Sequence, residues 1–137
     1  MKPTINYEAL AAFRYEIRRF VNFTELAARE AGIEPQQHQA LLAIKGLSPT
    51  QKPTIGVLAE RLQIRHHSAV ELTNRLESHG MIRRLRNKKD LREVLLRLTP
   101  KGEKVLDRIS ARNHQRLVSA GADLIEALTN AIREQKK

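Results

Sequence analysis

The stretch from Tyr7 to Ala31 holds neither glycine nor proline, and Leu10, Phe13, Ile17, Phe20, Val21 and Ala28 recur along it at intervals of three and four. That periodicity marks an amphipathic helix, and Gly32 supplies its stop. Phe23 and Leu26 fall off the stripe, so the apolar face is wider than a single contact would use. A chain of 137 residues built around such a helix is expected to be one domain with apolar surface to spare, a condition that a second copy of the chain relieves.

Four further segments follow. Pro35 suits the first turn of a helix because its missing N–H would be unsatisfied there, and Ala40, Leu41 and Ile44 supply the buried side before Gly46. Glu34 is a poor cap for it. Residues 46–53 read as a loop, after which Thr54 caps a short helix with Ile55, Leu58 and Leu62 inward. Gln63-Ile64 interrupts the pattern. A new helix then runs from about His66 to His79, with Ala69, Leu72, Thr73 and Leu76 inward, and Gly80 ends it.

Ile82 to Arg86 and Val94 to Leu98 read as two strands of a hairpin, the second alternating Val94, Leu96 and Leu98 against Glu93, Leu95 and Arg97. Asn87 to Leu91 forms the polar, basic link. Thr99-Pro100 caps a long helix carrying Val105, Leu106, Ile109, Leu117 and Val118. Gly121 is expected to break it near Ala120, leaving Leu124, Ile125, Leu128 and Ile132 for a last, separate helix. The fold class is therefore mainly α with one two-stranded β-hairpin.

Lys and Arg number 25 against 15 Asp and Glu, a formal net charge of +10. A polyanion is the implied partner, and nucleic acid and an anionic membrane both qualify on charge alone. The distribution separates them. Arg83, Arg84, Arg86, Lys88, Lys89 and Arg92 cluster with Asp90 as the one local acid, a focused patch on a shaped element. No apolar run approaches the roughly 20 residues that span a bilayer, and the N-terminal residues lack the apolar core of a secretory signal, so a cytoplasmic protein is expected. Absence of cysteine excludes disulfides, thiolate metal sites and thiol redox sensing.

Two short helices joined by a tight turn, Thr54 to Leu62 and His66 to His79, form a helix-turn-helix, whose second helix can lie in the major groove of double-stranded DNA. Such helix pairs also occur as plain packing, and a run of charges is most often a solvated loop. The hairpin that follows directly tips the balance, because Lys88, Lys89 and Arg92 at its tip can reach the adjacent minor groove.

Leu58-Ala59-Glu60-Arg61-Leu62, Arg75-Leu76-Glu77, Gly80-Met81-Ile82-Arg83-Arg84, Asp90-Leu91-Arg92 and Leu98-Thr99-Pro100-Lys101-Gly102 stand in an order and spacing that resemble the MarR-type regulators, named for multiple antibiotic resistance. The resemblance extends over essentially the whole chain. It implies a single winged helix-turn-helix domain over 1–137, with residues 34–100 reading DNA and residues 5–31 and 101–137 forming long N- and C-terminal dimerisation helices. It further implies a homodimeric transcriptional regulator, by family default a repressor, on a pseudo-palindromic operator. Recognition-helix contacts carry over onto His66, His67, Ser68, Glu71, Asn74 and Arg75, the minor-groove arginine onto Arg92, and the orienting acid onto Asp90. Many members bind a small, often aromatic and anionic, effector, for which Phe20, Leu41 and Ile44 are the candidate lining; a plain core role is the alternative for these three. His66-His67 departs from the Asp, Ser or Thr common at that helix start, and Glu34 from the usual Ser or Thr cap.

No nucleophile paired with a base, no paired carboxylates and no phosphate-cradling glycine loop are found, so no enzyme, cofactor or metal is expected. Adjacent His66 and His67 diverge by about 100° on a helix and cannot chelate one ion. His38 and His114 could approach each other in the fold, but without ligand spacing around them. Two rivals remain, an architectural DNA-binding protein without effector and a winged helix used for protein contact. The second would show large apolar residues on the recognition helix, where Val70 is the one clear candidate.

Overall fold

The computed structural model describes residue 2 and residues 4–133. Positions 134–137, assigned above to the C-terminal dimerisation segment, lie outside the described residues, as do 1 and 3. The element order is α1 (Tyr7–Glu30), α2 (Pro35–Lys45), α3 (Ile55–Leu62), α4 (His66–Ser78), β1 (Ile82–Arg86), β2 (Val94–Leu98) and α5 (Pro100–Ile132). The fold is mainly α with one antiparallel hairpin, as the sequence leads one to expect, and has five helices among the described residues.

Local chemistry sets most of the boundaries. Asn6 Oδ1 accepts from Ala9 N at the start of α1, Thr54 Oγ1 from Val57 N at α3, and Thr99 Oγ1 from Gly102 N at α5, each satisfying an otherwise orphaned amide. The weakness of Glu34 as a cap is offset by its neighbour: Gln37 Oε1 accepts from Glu34 N at 2.9 Å. Gln63 ends α3 in the left-handed conformation at φ 54°, and Ile64 N then closes back onto Ala59 O. The interruption at Gln63-Ile64 is thus a left-handed helix cap, made here without glycine.

One expectation fails. α5 runs unbroken through Gly121 for 33 residues. A glycine inside a helix costs only about 1 kcal/mol relative to alanine, and Leu117, Leu124 and Leu128 keep their helical spacing across it. A glycine without a competing turn signal does not stop a helix whose apolar stripe continues in phase.

Ala27, Ala28, Ile33, Ala40, Leu41, Ile44, Leu58, Leu72, Leu76, Met81, Ile82, Leu96, Leu98, Leu106 and Ile109 form the core. Leu106 and Ile109 therefore belong to this chain's own interior. α1 packs lengthwise on α5, where Arg116 lies over the Phe23 ring at 5.2 Å and Arg112 is paired with Glu30. The hairpin register sets Ile82 opposite Leu98 and Arg84 opposite Leu96. On its outer edge, Leu96 N donates to Pro53 O at 2.7 Å, which ties the 46–53 loop to β2.

The tightest junction joins the start of α5 to the end of α4 and the start of β1. Thr99 N donates to Met81 O at 3.0 Å, Thr99 Oγ1 to Gly80 O at 2.5 Å and Lys101 Nζ to His79 O at 2.8 Å. A Cβ at Gly102 would sit 2.1 Å from Met81 O, so only glycine fits. Gly121, by contrast, has nothing within 4 Å of that position. Gly102→Ala is expected to destabilise the fold by about 3 kcal/mol through forced overpacking, and Gly121→Ala to stabilise it by roughly 0.5–1 kcal/mol. Urea unfolding midpoints of the two variants should move in opposite directions.

Candidate nucleic-acid interface

Ala69, Leu72, Thr73 and Leu76 bury one side of α4, which turns His67, Glu71 and Asn74 onto the opposite, outward arc. His66, His67, Glu71, Asn74 and Arg75 are exposed and Ser68 is half-buried. Val70 is also half-buried, so the helix presents no large apolar residue of the kind that a protein-contact surface would use.

The wing tip is a pair of side-chain-closed turns. Asn87 Oδ1 accepts from Lys89 N at 2.9 Å, and Asp90 Oδ1 accepts from Arg92 N at 3.1 Å. The same Asp90 oxygen lies 3.5 Å from Arg92 Nε, while the Arg92 side chain is 95% exposed. Asp90 thus holds the backbone of Arg92 and steers a guanidinium that otherwise meets only solvent. Lys88 and Lys89 are exposed beside it. Glu93 braces the base of the tip: Asn87 Nδ2 donates to its Oε2 at 2.7 Å and Lys52 Nζ lies 3.2 Å away. The Asn87 hydrogen bond first, and the Lys52 contact with it, hold the Glu93 carboxyl below the usual carboxylate range.

One residue of this surface was absent from the sequence-derived set. Arg84, on β1, donates through Nη2 to Asn74 Oδ1 and places Nε 3.9 Å from Glu77 Oε1. Period-two alternation from the buried Ile82 was the available signal, since it turns Arg84 to the face of β1 that looks towards the helices.

A cavity of about 690 Å³ opens between α1, α2 and α5, lined among others by Phe20, His38, Leu42, Asn113, His114 and Leu117. Phe20 is part of this lining. Leu41 and Ile44 do not line the cavity; both are buried in the core, and Leu42, about 100° around α2 from Leu41, faces the cavity instead. His38 and His114 share this wall. Among the described residues no group of three or more His, Cys, Asp or Glu side chains is placed to hold a metal ion, and no helix is long and apolar enough to cross a membrane.

Residues 31–93, from the end of α1 to the base of the wing, match the model of the MarR family. The fold is that of the MarR regulators. Similar solved structures include a MarR family transcription regulator, 25% identical with a TM-score of 0.70 over 90% of this chain and 87% of that one. The transcriptional repressor CouR, bound to a 23-mer DNA duplex, is 25% identical with a TM-score of 0.67 over 87% and 85%. A mutant of MarR from E. coli, complexed with operator DNA, is 21% identical with a TM-score of 0.65 over 88% and 90%. No curated protein sequence matches the chain. In this MarR fold the helix-turn-helix and most of the wing fall inside the matched segment, whereas α1 and α5 fall outside it.

His38 has a physical consequence of its own. It is only 2% exposed, and burial pushes its imidazole below the ordinary pKa of 6.5. The folded protein therefore keeps His38 neutral where the unfolded chain takes up a proton. The stabilisation is complete above pH 6.5 and is lost as pH falls from there towards the folded-state value. Melting temperatures between pH 7.5 and 5 should fall less steeply for His38→Leu than for the wild type, the difference between the two profiles isolating His38 from the other histidines.

Proposed function

We propose that this chain is a sequence-specific transcriptional regulator of double-stranded DNA, acting as a homodimeric repressor. The observation that carries the proposal is the pairing of an outward polar arc on α4 with a wing tip whose Arg92 is fully presented and steered by Asp90. His66, His67, Ser68, Glu71, Asn74 and Arg75 meet the major groove, Arg92 enters the minor groove, and Lys88 and Lys89 meet phosphates. Similar structures bound to DNA, among them a transcriptional repressor, support this reading.

Residues 34–100 form the DNA-reading lobe and the two long terminal segments the dimerisation lobe. Tyr7, Val118, Ile125 and Ile132 are each more than two-thirds exposed, an uncovered apolar face along α1 and α5 that a second copy buries. The chemistry is recognition, with no covalent step.

DNA binding is tested by a matrix of variants against operator, flank-swapped operator and random duplex at several salt concentrations. Arg92→Ala is expected to weaken binding chiefly on A·T-rich flanks, and His67→Ala to lose about 1–3 kcal/mol of discrimination at one base pair. Lys88→Ala and Lys89→Ala should lower affinity on every sequence and flatten the salt slope by about one unit each. Footprints should show two half-sites centred about 10 base pairs apart. Uniform protection of any duplex would favour the architectural reading instead.

The cavity between α1, α2 and α5 is the proposed effector site. Among the described residues its lining holds no Lys or Arg and includes the carboxylate of Glu25, so its electrostatics favour a neutral phenol over the aromatic anion that the family resemblance suggests. A ligand releases DNA only through its differential affinity for the free and bound states. Phenols are expected to raise the melting temperature and lower operator affinity more than their carboxylate counterparts, a comparison made by titrating matched pairs.

A further inference from the structure

Six basic residues lie between Arg83 and Arg92, but the guanidinium of Arg84 is turned inward against the recognition helix. It stands opposite Leu96 in the hairpin register, its side chain is one-third exposed, and it donates to Asn74 Oδ1 with Glu77 Oε1 3.9 Å from Nε. A guanidinium has donors and no acceptor. The carboxamide of Asn74 must therefore turn its oxygen to Arg84, and a charge-assisted bond of this kind is about twice as strong as a neutral one.

We propose that Arg84 is a specificity-positioning residue: by holding the oxygen of Asn74 towards the wing it turns the NH2 group to meet a base. The inference rests on the DNA-reading function proposed above. A free asparagine pairs bidentately with adenine, accepting from N6 and donating to N7. The oxygen keeps a second lone pair, but a carboxamide anchored to the wing through its oxygen is no longer free to set oxygen and NH2 side by side against N6 and N7, and led by its NH2 group it sets a donor against the adenine N6 amino group. Guanine presents two acceptors in the major groove, N7 and O6. Position 74 therefore selects guanine, and the wing dictates base preference without touching the base.

The test is selection of bound sites from random duplexes by the wild type, Arg84→Met, Arg84→Lys, Asn74→Ala and the Arg84→Met/Asn74→Ala double variant, with melting curves run alongside. Asn74→Ala locates the base pair in question by erasing its preference. The wild type is expected to hold guanine there. Arg84→Met keeps the apolar stem and removes the donors, and should shift that position towards adenine by roughly tenfold while other positions stay unchanged. Arg84→Lys retains a donor and should keep guanine. In the Asn74→Ala background Arg84→Met should change nothing at that position.

Adenine at the Asn74-dependent position in the wild type would overturn the proposal. So would an equal loss of affinity on all sequences with a flattened salt slope in Arg84→Met, which would make Arg84 a phosphate contact. So would an Asn74→Ala variant that selects the same sites as the wild type. These outcomes leave sequence-specific binding intact, whereas a wild type that enriches no sequence removes the proposed function and this inference together. Were Arg84→Met to melt below the assay temperature, Arg84→Lys would decide alone, by holding guanine or losing it.

Discussion

The start of α5 is clamped to the end of α4 and the start of β1 by Thr99, Lys101 and Gly102, and the geometry of the whole winged-helix lobe follows from that clamp. Four groups meet there: the carbonyls of His79, Gly80 and Met81 and a glycine whose missing side chain is the condition for contact. Helix α4 ends at this point, the wing starts from it, and the wing's return strand leads back into it. Because α5 grows rigidly out of the same junction, any rotation of α5 is transmitted to α4 and the wing together. Packed junctions of this kind move as units and do not deform gradually.

From that anchor the lobe is braced outward in stages. Gln37 Nε2 reaches His79 Nδ1 at 3.4 Å, linking α2 to the end of α4. Arg84 then ties β1 to the outward side of α4, and Glu93 ties the tip to Lys52 in the preceding loop. The bonds become more exposed towards the tip, as does the chain itself. Exposed ion pairs add little stability and are weakened by salt, so the tip is the part of the lobe most free to adjust, while the helix beneath it is set.

Much of this was legible in the sequence because each element carried its own local signal. Thr54 and Thr99 announced their helices, the alternation of Val94, Leu96 and Leu98 gave β2 its limits, and the apolar period fixed which side of α4 is buried. What stayed illegible depends on distance through space. Nothing local distinguishes Gly102, which is indispensable to packing, from Gly121, which is incidental, and reading the second as a break divided one helix into two. Leu41 and Ile44 face the core and Leu42 the cavity, a distinction that requires knowing which neighbour lies on which side of α2. The Arg84–Asn74 bond spans ten residues and two element types, and Arg84 in the sequence looks like any other member of a basic run.

The bond from Leu96 N to Pro53 O bears on how such a protein keeps to itself in a crowded cell. A two-stranded hairpin has two open edges, and an unpaired edge is a template on which strands from other chains can add. On the β2 side the inward reach of that template is met by a residue that accepts one hydrogen bond and, being proline, has no N–H to continue the ladder. The sheet is terminated there in the middle of its own strand. Extended growth into intermolecular β-structure is blocked along this edge by backbone chemistry alone, leaving the wing's charged side chains unencumbered by that task.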